Sequence, residues 1–195
     1  RRGVVLSGIL GGLVSSTAVT LSMSQRSRSE ASLSRALALG VMAAWSVMFA
    51  RILVIVAVLN GALFLGIWKA VGLGLLACTL YAVWLYRAHR QGGEDQPGQY
   101  KNPFELMPAL TFGLLYAAIL LGANAARFTL GDAGVYLSSI VSGLVDVDAI
   151  TLSMARLAGG QGGVDIEVAS RSVVLAVVAN TLVKGCIVLL TASRE

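Results

Sequence analysis

Two aspartates, Asp146 and Asp148, lie in the middle of the apolar stretch Gly134–Met154, GVYLSSIVSGLVDVDAITLSM. An aspartate near the centre of a membrane-length helix costs about 2.5–3.5 kcal/mol on the insertion scale, so an acid there points to ion binding or proton exchange. Carboxylates are hard oxygen ligands suited to Mg²⁺, Ca²⁺, Mn²⁺ or Na⁺, which makes Asp146 and Asp148 the candidate metal ligands. At spacing i, i+2 they point about 200° apart on a continuous helix and share one ion only if the helix unwinds locally. Arg51, Lys69 and Lys184 also lie inside apolar runs, and Lys184 shares its run with Asn180 and Thr181. These are candidates for counter-charge or for the lining of a cavity around Asp146. Two plainer readings stand beside this one. The acids and bases can form static pairs, and the three cations, each about 10–12 Å from a span end, can snorkel to the interface.

A second stretch carries the same pattern without the acids. Gly3–Met23, GVVLSGILGGLVSSTAVTLSM, matches Gly134–Met154 at an offset of 131 residues with 13 of 21 positions identical. Ser34-Arg35 and Ser170-Arg171 then each open a further apolar helix. Ser15, Ser16 and Thr17 stand opposite Asp146, Val147 and Asp148, so the first copy offers neutral oxygens where the second offers carboxylates. Both stretches follow a glycine step, Gly11-Gly12 and Gly143, where a helix can break or approach a neighbour closely. A break at membrane depth is tolerated only where its freed carbonyls face protein or a hydrated cavity. Small residues at a helix contact are the alternative reading of Gly11-Gly12 and Ser15–Thr17.

The elements that position these residues are membrane spans. Of 195 residues 56% are apolar and 13% charged, with mean hydropathy +0.79, against about 25% charged in a soluble domain. That balance excludes an ordinary soluble enzyme, a disordered chain and a disulfide-rich secreted module. Six segments approach the ~20 apolar residues a span needs: Gly3–Met23, Ala36–Leu59, Ala62–Tyr86, Pro103–Ala126, Gly134–Met154 and Ser172–Thr191. Between them, Gln25–Ser34 reads as a short basic loop, Asn60-Gly61 as a tight turn, and Gly159–Ser170 as a flexible, mildly acidic linker. Gln91–Asn102 is the long polar loop, and Asn102-Pro103-Phe104-Glu105 reads as a helix start. The expected organisation is one all-α transmembrane domain over 1–195: repeat one at 1–60, a linker helix at 62–90, the loop at 91–102 and repeat two at 103–195.

Topology is less constrained. If both motif segments cross, eight basic residues face four across the bilayer and the repeats are parallel; if both are re-entrant, the split is nine to three and the repeats are inverted. Their length of 21 residues favours crossing. Repeat one lacks a counterpart of Pro103–Ala126. A helix before Arg1 is therefore expected, and a start at Arg1-Arg2-Gly3 without Met reads as a fragment of a longer chain. The remaining chemistry is sparse. Cys78 and Cys186 lie in apolar runs as small hydrophobes, and His89, among Arg87 and Arg90, reads as facing solvent or headgroups. No Walker loop, HExxH, GxSxG or zinc spacing occurs, so an enzyme is not expected.

GILGGLVSSTAVTLSMSQRSR, NPFEL and SGLVDVDAITLSMA resemble the bacterial membrane domain of unknown function found C-terminal to MgtC/SapB-type domains, over nearly the whole chain. The resemblance implies a multi-helix bacterial inner-membrane protein, often with an MgtC-like domain N-terminal in the same polypeptide. It supplies no ligand residues. The expected function is a small-cation transporter or channel (divalent metal, Na⁺ or H⁺) with an acidic site where the repeats meet. The alternative is a non-transporting regulatory or scaffold subunit of a larger membrane complex. The expected partners are the bilayer, a bound metal cation and a second copy of the chain, with no role for nucleic acid.

Overall fold

The structure is a computed structural model and describes residues 2–88, 121, 131–160 and 163–193. Its regular elements are the helices α1 (Arg2–Ser29), α2 (Ser34–Leu59), α3 (Gly61–Ala88), α4 (Gly131–Val145), α5 (Val147–Leu157) and α6 (Ile166–Thr191). A single 3-10 turn, Ala31–Leu33, joins α1 to α2. The expected loop 91–102, the helix start at Asn102, the span Pro103–Ala126 and His89 lie outside the described residues.

Among the described residues four helices, α1, α2, α3 and α6, are long and apolar enough to cross a membrane. Their side chains agree with a lipid surround. On α3 a narrow stripe of Leu63, Ile67 and Val71 is buried at four-residue spacing, while Leu65, Leu73, Leu76, Leu80 and Trp84 are exposed around it. A helix this apolar on its outer face has its exposed side solvated by hydrocarbon rather than water.

Several boundaries differ from expectation, each for a local reason. The basic loop expected at Gln25–Ser34 is mostly helix, because α1 runs on to Ser29. Nothing in QRSRS breaks a helix, and Arg26 pairs with Glu30 one turn on (Nε–Oε1 3.0 Å). The linker expected at Gly159–Ser170 gives way to α6 six residues before Ser172. Asp165 Oδ1 accepts the Glu167 N–H (2.8 Å), an N-cap that starts the helix at Ile166. The described part of that linker is also tied down. Gly159 takes φ +77°, a left-handed turn that favours glycine, and Ala158 and Val164 form a parallel bridge. Asn60 does separate two helices: its Oδ1 accepts the Leu63 N–H (3.0 Å) and so caps α3.

The described residues form two compact units. One gathers residues 2–50, 73–88 and 184–193; the other gathers 51–72, 131–160 and 163–183. α2, α3 and α6 each contribute to both. In the first unit α1 meets the start of α2 with its glycines: a Cβ on Gly8 would overlap the Gly40 backbone, and one on Gly12 would lie 2.8 Å from Ala44 Cα. In the second, a Cβ on Gly143 of α4 would overlap the backbone of Ala176 on α6. Glycine here permits backbone-to-backbone packing, which without a hydrophobic driving force is what holds helices together in lipid.

Candidate functional site: two capped helix breaks

The breaks fall on Ser15 and Asp146, three residues beyond Gly12 and Gly143 rather than on the glycines. Ser15 is extended (φ −158°, ψ 105°) inside α1, and Asp146 is extended (φ −153°, ψ 131°) between α4 and α5. These two residues occupy the same place in the two copies of the repeated motif. Each begins the following helix with its own side chain. Ser15 Oγ accepts the Ala18 N–H (3.2 Å), and Asp146 Oδ1 accepts those of Asp148 (2.6 Å) and Ala149 (3.4 Å). Ala18 and Ala149 also correspond in the repeat. Ser and Asp are strong N-cap residues because their oxygen satisfies N–H groups that an interrupted helix leaves without acceptors.

The second break must also satisfy carbonyls. Asp146 N–H donates to Ser142 O (2.7 Å), and Asn180 Nδ2 on α6 donates to Gly143 O (2.8 Å), the carbonyl that Val147 would have served in an unbroken helix. Asn180 is 2% exposed, and its Oδ1 has no hydrogen-bond partner among the described residues. Asn180 is therefore the second support of the break, a role the sequence offered only as cavity lining.

Asp146 and Asp148 are put to different uses. Asp146 is the cap. Asp148, one turn-start later, faces Arg51 of α2 in a two-pronged pair: Arg51 Nε reaches Asp148 Oδ1 at 3.2 Å, and a second contact joins Arg51 Nη2 to Asp148 Oδ2. The side chains are 23% and 12% exposed, so the pair is largely withdrawn from its surroundings. Both Asp148 oxygens are thereby engaged. Among the described residues no group of three or more His, Cys, Asp or Glu is gathered to hold a metal.

The first break has the opposite character. Lys184 on α6 is 1% exposed and donates to Ser16 Oγ (2.8 Å), with Met48 Sδ of α2 at 2.7 Å. A lysine side chain thus stands beside the N-terminal, positive end of the helical stretch that Ser15 starts. Thr17 is half-buried. Ser15–Thr17 and Asp146–Asp148 belong to different units. Lys69, the remaining intramembrane cation, is exposed with its Nζ 5.9 Å from the Trp68 ring centroid. Gly11 sits within one turn-and-a-half of the first break, and a Cβ there would lie 2.6 Å from Val19 Cγ2.

Two roles escaped the reading of the sequence. Met48 gives no signal, being one apolar residue among many. Asn60 bonds the carbonyls ending α5, Ala155 O (3.3 Å) and Ala158 O (3.0 Å), besides capping α3; an Asn before Gly between two apolar runs was its signal.

Comparison with known proteins gives a family but no activity. The chain is 34% identical over 199 residues to an uncharacterized protein of Aquifex aeolicus (strain VF5), covering 98% of this chain and 84% of the relative. No solved structure matches. Residues 1–192 match a family described as a domain of unknown function, and on that match this helical membrane protein, with its two capped helix breaks, belongs to the DUF4010 family.

Proposed function

We propose that the protein is a multi-pass transporter of the bacterial inner membrane for a small cation (H⁺, Na⁺ or a divalent metal), with Asp148 as the exchanging carboxylate. The observation that carries this reading is the matched pair of breaks at Ser15 and Asp146. Discontinuous helices in repeated segments are the usual architecture of secondary transporters, whose sites lie near the midplane. Asp146 holds α5 in its broken geometry, and Asn180 holds the end of α4. Arg51 serves as the internal cation against which the cargo competes: when the pair parts, Asp148 is free to take a proton or an ion; when the cargo leaves, Arg51 returns and keeps the carboxylate neutralised. The resemblance to domains that follow MgtC/SapB-type domains makes a divalent metal a natural first cargo to assay, and an MgtC-like domain a candidate partner.

The test is ion flux into liposomes carrying the purified protein, with Mg²⁺, Mn²⁺, Na⁺ and H⁺ in turn. Flux in the wild type that is lost in Asp148→Asn supports the proposal. Folded wild-type protein that moves none of the four ions overturns it.

The direct Arg51–Asp148 pairing favours a second reading, a regulatory or scaffold subunit in which the pair is static. That reading expects Arg51→Met/Asp148→Leu to keep full function in the cell, because apolar replacement of a buried pair preserves packing. The transporter reading expects the same variant to fold and to carry no flux.

A further inference from the structure

In the first unit the ends of α1, α3 and α6 and the start of α2 line a half-open cavity of about 620 Å³. Its polar side is built from serines that tie these ends together. Ser27 Oγ donates to Ser24 O (2.7 Å) and accepts the Ser193 N–H (3.1 Å), and the Ser34 and Ser193 hydroxyls are 2.9 Å apart. Ser24 is different. It is 3% exposed and lines the cavity, yet its hydroxyl has no hydrogen-bond partner among the described residues. The hydroxyl is open to the cavity rather than sealed in the packing, so the position is suited to an oxygen that arrives with a ligand. Arg35 is the one charged side chain among the described lining residues, and among the described residues it makes no ion pair. Most of the remaining lining is apolar and includes Trp84, whose ring stacks on Tyr81 at 5.6 Å between centroids.

We propose that this cavity binds a phosphate ester, with Arg35 and the Ser24 hydroxyl on the phosphate oxygens and the Trp84 wall against the attached carbon chain. Guanidinium matches a phosphate by paired N–H donors, and a lone cation with no facing carboxylate selects an anion. Trp and Tyr at a helix end mark the level of lipid headgroups, which is where a phospholipid would present its phosphate. The site is independent of the broken helices and of the transport reading.

The experiment follows the melting temperature of the purified full chain in detergent as a function of added probe, from which an apparent Kd is taken. The probes are dioctanoyl-phosphatidylglycerol, dioctanoylglycerol, which lacks the phosphate, and glycerol 3-phosphate, which lacks the chains. Saturable stabilisation by the phospholipid, with Kd weakened about tenfold in Arg35→Gln and about threefold in Ser24→Ala, is the expected result. Ser24→Ala removes no internal hydrogen bond, so its melting temperature without probe should stay at the wild-type value. Competition by glycerol 3-phosphate would identify a soluble phosphate ester as sufficient; a lack of competition would assign the site to the lipid. Equal stabilisation by dioctanoylglycerol overturns the proposal, because the cavity would then recognise chains only. So does an unchanged Kd in Arg35→Gln, or an equal weakening in Arg28→Gln, a neighbouring basic residue that does not line the cavity.

Discussion

Replacing Asp148 by Asn removes one charge, keeps the side-chain shape, and leaves the Arg51 guanidinium without the carboxylate it now meets through two contacts. Breaking a buried pair by removing one partner costs about 3–5 kcal/mol, because the remaining ion is left uncompensated. Arg51 retains 23% side-chain exposure, and its long stem allows partial escape. The expected loss is therefore at the low end, about 3 kcal/mol. For a chain of 195 residues each kcal/mol lowers the melting temperature by about 2–4 °C, so Asp148→Asn should melt about 6–12 °C below wild type. Arg51→Gln should fall by a similar amount. Arg51→Met/Asp148→Leu should return to within a few degrees of wild type or exceed it, since well-packed apolar replacements of a buried pair are neutral or stabilising. The assay is thermal unfolding in one detergent at fixed protein concentration, followed by far-UV circular dichroism. The reasoning is refuted if Asp148→Asn melts within about 2 °C of wild type, or if the double variant is as unstable as the worse single one.

The other predictions concern the breaks and the close helix contacts. Asp146→Ser imports the residue found at the matched position of the first copy and keeps a capping oxygen, whereas Asp146→Ala loses it; the alanine variant should be about 1–2 kcal/mol less stable and the serine variant within about 0.5 kcal/mol of wild type, by thermal unfolding. Asn180→Leu strands the Gly143 carbonyl and should lower stability by about 1–3 kcal/mol, with faster amide exchange around residues 143–149 as its local signature. Gly143→Val should be destabilising by more than about 1–3 kcal/mol because the added carbons meet the Ala176 backbone, while Gly72→Ala, with nothing within 4 Å, should be neutral or gain up to about 1 kcal/mol of helix propensity.

The roles of Asp146 and Lys184 show how different kinds of information enter. A cap is a local device: Asp146 needs only the N–H groups two and three residues ahead, so a break at VDVDA was foreseeable from residue types. Its position was misplaced onto glycine, because glycine marks both breaks and close contacts and the sequence does not say which. Gly12 and Gly143 serve the second purpose, and only a neighbouring helix at hand makes that visible. Likewise the N-cap at Asp165 was written in DIE but passed over beside the flexible-looking GGQGG before it.

By itself the sequence determined that the chain is rich in helices apolar enough for a membrane, roughly where the described long helices run, that one motif occurs twice, and that acids and bases stand inside apolar stretches. These follow from composition, periodicity and local chemistry, which act over a few residues. Which acid meets which base was a question over 97 residues for Arg51 and Asp148, and over 168 for Lys184 and Ser16. Any of the three intramembrane cations satisfied the same charge arithmetic. Only the packing of the helices decided among them, because a salt bridge or a buried lysine contact depends on distances of a few ångströms that hydrophobic patterning along the chain does not encode.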